Sequence, residues 1–168
     1  MTNLRFGILT VSDRSSRGER PDLSGPALAD FVKSRGWSAS LLDVVADDRA
    51  RIASTLEAWC ARADLDVILT TGGTGFAPRD VTPDATRSVV EREAPGLAEA
   101  IRAESLKVTK HAMLSRAVAG IRGRTIILNL PGSPKGAVES LQVVADVLEH
   151  AVQLLHEDPN SEQGHRTK

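Results

Sequence analysis

The sequence predicts an α/β fold, a three-layer αβα sandwich around a mostly parallel sheet with one antiparallel edge strand. Three observations predict it. Short apolar runs alternate with segments of helical period along most of the 168 residues. The runs Leu4 to Val11 and Val67 to Leu69 are apolar throughout rather than alternating, as strands covered by helices on both faces are. Late in the chain, two β-prone runs flank Arg122-Gly123-Arg124, the pattern of a hairpin, which turns one strand antiparallel. Right-handed crossovers between the parallel strands then leave few other topologies.

Leu4 to Val11 is the first strand, and it ends in the polar loop Ser12-Asp13-Arg14-Ser15-Ser16. Pro26 opens a helix with Leu28, Phe31 and Val32 on one face and Gly36 at a left-handed C-terminal cap. Trp37 to Val45 is the second strand. Asp47-Asp48 begins the next helix, where carboxylates accept free backbone N–H groups, and Ile52, Leu56, Trp59 and Cys60 form its buried stripe. Val67 to Leu69 is a central strand that runs into Thr71-Gly72-Gly73-Thr74-Gly75. Thr82-Pro83-Asp84 reads as cap, first helical residue and favourable first-turn charge of a helix to about Arg92; Pro95 starts another that ends near Lys107. The run Thr125 to Leu130 enters Pro131-Gly132-Ser133-Pro134-Lys135-Gly136, and a last helix docks through Val138, Leu141, Ala145, Leu148, Val152 and Leu155. Residues 1–156 read as one domain and 157–168 as a polar, disordered tail.

A formal net charge of -1, with both signs interspersed, gives no overall field for DNA, RNA or an anionic membrane, and 3% aromatic residues offer no base-stacking platform. Cys60 is the sole cysteine, which excludes an internal disulfide and a cysteine metal cluster. The start has no basic region followed by an apolar run, and no apolar run approaches the ~20 residues of a membrane span. A cytoplasmic location is expected.

Ligands of parallel sheets bind beyond the carboxyl ends of the strands. Ser12-Asp13, Asp47, the Thr71 loop and the Pro131 loop are therefore expected on one rim. Glycines 72, 73 and 75 free the backbone to turn N–H groups toward an anion, and Thr71 and Thr74 add hydroxyls. The segment matches neither the Walker A loop nor G-x-G-x-x-G. It is either a phosphate cradle or a tight strand-to-loop turn without a ligand. Pro131 to Gly136 is either a second anion site at a helix N-terminus, with Lys135 as its cation, or a rigid loop with a solvated lysine. Asp47 and Asp80, each able to serve as a plain cap or loop residue, converge on the same rim, and two carboxylates near bound phosphate suit Mg²⁺. His111 lacks a second histidine at metal-binding spacing and, like Arg79 and Arg116, reads as surface.

The segments Thr10-Val11-Ser12-Asp13, Asp22-Leu23-Ser24-Gly25-Pro26, Thr71 to Gly75 with Asp80-Val81-Thr82-Pro83, and Asn129-Leu130-Pro131-Gly132-Ser133-Pro134 occur in that order. In them the chain resembles the small molybdopterin-binding proteins of molybdenum-cofactor biosynthesis, the MogA/MoaB type related to the gephyrin G domain. The resemblance covers all but the tail. It implies a three-layer αβα homotrimer and, in the MogA branch, adenylylation of molybdopterin by ATP with Mg²⁺, releasing pyrophosphate. It also implies a molybdenum-insertion protein as a candidate partner. On the matching positions, Asp47 and Asp80 would be the acidic pair serving metal and catalysis, and Gly72, Gly73, Thr74 and Gly75 would cradle phosphate. Ser12, Asp13, Ser115, Pro131, Gly132 and Ser133 would line the pterin or nucleotide pockets. The alternative is a non-catalytic pterin-binding or carrier protein with the same pocket; the presence of both Asp47 and Asp80 favours the active branch.

Overall fold

The strands β1 (Arg5–Val11), β2 (Ser38–Val45), β3 (Val67–Thr71), β4 (Arg92–Glu93), β5 (Ala119–Arg122) and β6 (Thr125–Leu130) form one sheet in a computed structural model that describes residues 3–157 and 159. Their order is β2-β1-β3-β6-β5-β4. β1 pairs in parallel with β2 and β3, and β3 with β6. The hairpin around Gly123 (φ +56°) makes β5 antiparallel to β6. Of the polar tail expected to be disordered, residues 158 and 160–168 lie outside the described residues.

Helices cover both faces, and the strands show why their sequences are apolar throughout. Ile8, Leu69, Ile126 and Leu128 face a core built with Leu28 and Val32 of α2 (Ser24–Ser34), Ile101 of α5 (Pro95–Leu106) and Leu141, Leu148 and Val152 of α6 (Pro134–Leu155). Their strand neighbours Leu9, Ile68 and Ile127 face the opposite core, against Ile52 and Leu56 of α3 (Arg49–Ala61) and Ala85 and Val89 of α4 (Thr82–Val89). Both faces of every central strand are thus buried, so period-two alternation gives no polar side.

Local departures from the sequence reading have identifiable causes. The loop expected at Ser12 to Ser16 holds a short helix, α1 (Asp13–Ser16), because the Ser12 hydroxyl accepts from Ser15 N (3.2 Å) as an N-cap. α2 begins at Ser24, ahead of Pro26. Asp48 rather than Asp47 caps α3, accepting from Arg51 N at 2.8 Å. Thr82 is no cap: Val81 holds that position, and the Thr82 hydroxyl donates elsewhere. α4 stops at Val89 instead of about Arg92, since Glu91 N and Ala94 N bond to Ile121 O and Ala119 O (2.9 Å each) and draw the chain out as β4, antiparallel to β5. This leaves the short β4 beyond the antiparallel strand at that edge. Gly120 permits the close approach, because a Cβ there would lie 2.5 Å from Val90 Cγ1. Gly36 takes the left-handed conformation (φ +78°) expected after α2.

Among the described residues, no helix is long and apolar enough to cross a membrane. Cys60 is partly buried on α3, and burial pushes its thiol up to about 11. Thiolate is the reactive form, and at pH 8 it would be only about 0.1% of the thiol. Alkylation by iodoacetamide at pH 8, followed by mass spectrometry, is therefore expected to run roughly 100-fold or more slower than for a free cysteine of ordinary pKa. A rate matching the free amino acid would show the thiol to be exposed.

Candidate functional site

Four parallel strands deliver their carboxyl ends to one rim, and there they open a cavity of about 500 Å³. Ser12 follows β1, Asp47 follows β2, Thr71 ends β3 with Gly72 and Gly73 just after it, Gly132 and Ser133 follow β6, and Asp80 precedes α4; all line it. A neighbouring cavity of about 390 Å³ is lined by Thr74, Gly75, Ser115, Pro131 and Ser133, with Ile101, Val108 and Leu114 as apolar wall. The glycine loop therefore divides two cavities: its first three residues line one and its last two the other, while Ser133 lines both. Of the residues proposed from sequence, Asp13 and Lys135 line neither.

The loop is fixed through its carbonyls. Gly72 O accepts from the Thr82 hydroxyl (2.9 Å), Gly73 O from Thr82 N (3.1 Å) and Thr74 O from Arg116 N (2.8 Å). Gly72 N donates to Leu130 O (3.1 Å), and the Thr71 hydroxyl donates to Pro131 O (2.7 Å), so the two rim loops are tied together. Among the described residues nothing accepts from the N–H groups of Gly73, Thr74 and Gly75, which remain available to an anion. Gly73 has φ +66°, and a Cβ on it would lie 2.4 Å from Thr82 Oγ1 and 3.1 Å from Asp47 Oδ1. A Cβ on Gly75 would lie 2.9 Å from Asp80 Oδ2. Glycine is thus needed where each acidic side chain approaches the loop.

Asp13 and Asp47 are joined reciprocally. Asp13 N donates to Asp47 Oδ2 (2.8 Å) and Asp47 N to Asp13 Oδ1 (3.1 Å). Arg79 secures the pair, donating through Nη2 to Asp13 Oδ1 (2.8 Å) and to Asp47 O (3.2 Å). The Arg79 hydrogen bonds hold the Asp13 carboxyl below the usual carboxylate range. Asp13 is therefore a support for Asp47 rather than a wall of the cavity. Burial raises the Asp47 carboxyl, the Asp13 N–H opposes that rise, and the Asp13 charge adds to it. Asp80 Oδ2 accepts from Ala77 N (2.9 Å), which closes the turn that carries it. Among the described residues no group of three or more His, Cys, Asp or Glu could hold a metal ion; Asp47 and Asp80 share the lining of the first cavity.

The remaining candidates separate by their contacts. Ser133 caps α6, its hydroxyl accepting from Gly136 N (3.1 Å). Lys135, in the first turn of that helix, is 87% exposed and 3.8 Å from Glu139, away from both cavities. Arg116 is not idle surface: it grips Asp84 (2.6 and 2.7 Å) and donates to Asp80 O (3.0 Å), bracing the segment between Thr74 and Asp80. His111 lines the second cavity beside Thr109.

Sequence reasoning placed Asp22 and Ser24 only within a motif. Asp22 accepts from the Thr10 hydroxyl (2.8 Å) and Gly25 N (3.1 Å), and the Ser24 hydroxyl donates to Gly132 O (2.6 Å), which clamps α2 to the Pro131 loop. Arg20 lines the first cavity and carries no sequence signal that separates it from other surface arginines.

Known proteins share this fold. The family described as probable molybdopterin binding domain matches residues 7–150. The chain is 45% identical to the molybdenum cofactor synthesis protein cinnamon of Drosophila melanogaster over 94% of its own length, and spans about a quarter (26%) of that protein. It is 40% identical to the molybdopterin adenylyltransferase of Helicobacter pylori (strain J99), covering 92% of this chain and 89% of that one. Among solved structures, the molybdopterin biosynthesis enzyme MoaB of Thermus thermophilus superposes with a TM-score of 0.86 at 51% identity, over 93% of this chain and 98% of that one. A match over most of the chain, a shared fold and close relatives of similar length agree, and the chain belongs to the probable molybdopterin binding domain family.

Proposed function

We propose that this protein is a molybdopterin adenylyltransferase of molybdenum-cofactor biosynthesis, joining AMP from ATP to molybdopterin. The observation that carries the reading is the divided site: two cavities meet at a loop whose Gly72, Gly73 and Thr74 carbonyls are tied to protein and whose Gly73, Thr74 and Gly75 N–H groups have no acceptor among the described residues. Two phosphate-bearing substrates need that arrangement, one from each side. Relatives named molybdopterin adenylyltransferase support it.

The chemistry suits the residues. The terminal phosphate of molybdopterin is anionic at neutral pH and needs no strong general base. One of its oxygens bonds to the α-phosphorus of ATP, the bond from that phosphorus to the bridging oxygen of the β-phosphate breaks, and pyrophosphate leaves with the electron pair. The difficulty is to hold two repelling anions in line, which is a matter of positioning and preorganised charge. Gly73, Thr74 and Gly75 would offer backbone donors, and Ser12, Gly132 and Ser133 would line the path of the phosphates. Asp47 and Asp80 fit Mg²⁺, which binds through one or two carboxylates with substrate phosphates and water, and would neutralise the phosphates. Exposed Val108, Val143 and Val147 supply apolar surface for the homotrimer that belongs to the same reading.

The test mixes purified protein with molybdopterin, ATP and Mg²⁺ and follows pyrophosphate together with the adenylylated pterin. Both products are expected, and both should vanish when EDTA removes the metal. Molybdopterin binding without either product would overturn the enzyme in favour of a carrier.

A further inference from the structure

A cationic side chain strengthens phosphate recognition, and the lysine that the sequence offers for that task stands outside both cavities. The first cavity is lined by three carboxylates, Asp22, Asp47 and Asp80, and by one cationic side chain, Arg20. Three other arginines of this end of the fold are committed elsewhere, Arg79 to Asp13, Arg116 to Asp84 and Arg17 to Glu19, and Arg14 does not line the cavity. The Arg20 side chain makes no hydrogen bond or ion pair with any described residue.

Its loop is nevertheless anchored on both sides. Glu19 N donates to Arg14 O (2.9 Å) just before it. Just after it, Pro21 restricts the backbone, and Asp22 is held by Thr10 and Gly25. A positive side chain on a pinned loop, lining a cavity whose other ionisable groups are acidic, has no structural partner to serve.

We propose that Arg20 is the cation that binds substrate phosphate in the first cavity, the role that the sequence reading gives to Lys135. It rests on the reading of that cavity as a phosphate site. The phosphate belongs either to the nucleotide or to the pterin, and the planar guanidinium would take two of its oxygens at once. Because Arg20 is exposed and unbonded, its replacement removes an anion contact and leaves the fold.

Isothermal titration of Arg20→Gln, Arg20→Lys and Lys135→Gln beside the parent tests this, with two probes: an Mg²⁺-bound non-hydrolysable ATP analogue, and molybdopterin. R20Q is expected to bind one probe about 10- to 100-fold more weakly, the range for a hydrogen bond to a charged group, with an unchanged Tm. R20K should recover part of the loss. Weakening toward the analogue alone assigns Arg20 to the nucleotide, and toward molybdopterin alone to the pterin phosphate; either supports the proposal. R20Q within about twofold of a parent that binds overturns it, as does a loss confined to K135Q. A parent that binds neither probe sinks the adenylyltransferase reading along with it.

Discussion

Asp80→Asn is expected to lower adenylyl transfer at least about 100-fold while the protein stays folded and still binds molybdopterin. Asparagine keeps a side-chain oxygen that can accept from Ala77 N, so the turn holding position 80 has no reason to open. Arg116 reaches the Asp80 backbone oxygen rather than its carboxylate, and that brace also survives. What disappears is one negative charge in a cavity whose other carboxylates are Asp22 and Asp47. Removing a single preorganised electrostatic group from a phosphoryl-transfer site commonly costs two or three orders of magnitude. Stability should move by no more than about 0.5 kcal/mol, as for other substitutions outside the core. Initial rates at several Mg²⁺ concentrations, with urea denaturation alongside, separate the two effects. Parental rates in D80N would remove the acid pair from the mechanism and leave the glycine loop as the only supported part of the site.

The strands and the rim were legible because each depends on short-range composition: Val67 to Leu69 is apolar throughout, and strand order under right-handed crossovers carries the loops to one side. Side-chain partners were not. Asp47 and Asp48 are adjacent and identical, and which one caps α3 is decided by Asp13, 34 residues upstream, whose N–H already occupies the Asp47 carboxylate. Thr82 has the local pattern of a cap, yet its hydroxyl finds Gly72 O across the loop. Arg92-Glu93 has no β character; backbone bonds to β5 and the missing side chain of Gly120 make it a strand. Lys135 lies in a glycine-rich segment and Arg20 does not, so motif reading singled out a lysine that lines neither cavity and passed over an arginine that lines one. The misplaced caps and the unforeseen β4 all turn on contacts beyond the reach of the local pattern.

Gly72→Ala is expected to destabilise the protein by about 3 kcal/mol or more and to disrupt the site with it. Gly72 has φ +103°, a conformation that costs an L-residue on the order of 1–3 kcal/mol. The added Cβ would also stand 2.3 Å from Val11 O. That oxygen belongs to β1, a strand paired on both sides, so it cannot yield as a flexible side chain would. On the other side the loop passes close to Gly132, where an added Cβ would lie 3.3 Å from the Gly72 Cα. Any shift of Gly72 moves a carbonyl held by Thr82 and an N–H held by Leu130, which pulls on the free donors that follow. For a chain of this size the loss corresponds to a fall in Tm of roughly 6–12 °C. Gly96→Ala is the matched control: it adds the same methyl near the start of α5, where nothing lies within 4 Å, and should leave Tm unchanged or slightly raised. Differential scanning calorimetry of both variants decides the matter. Equal Tm values would mean that the β3-to-loop junction can relax around a side chain, and the glycine would then be explained by ligand approach alone.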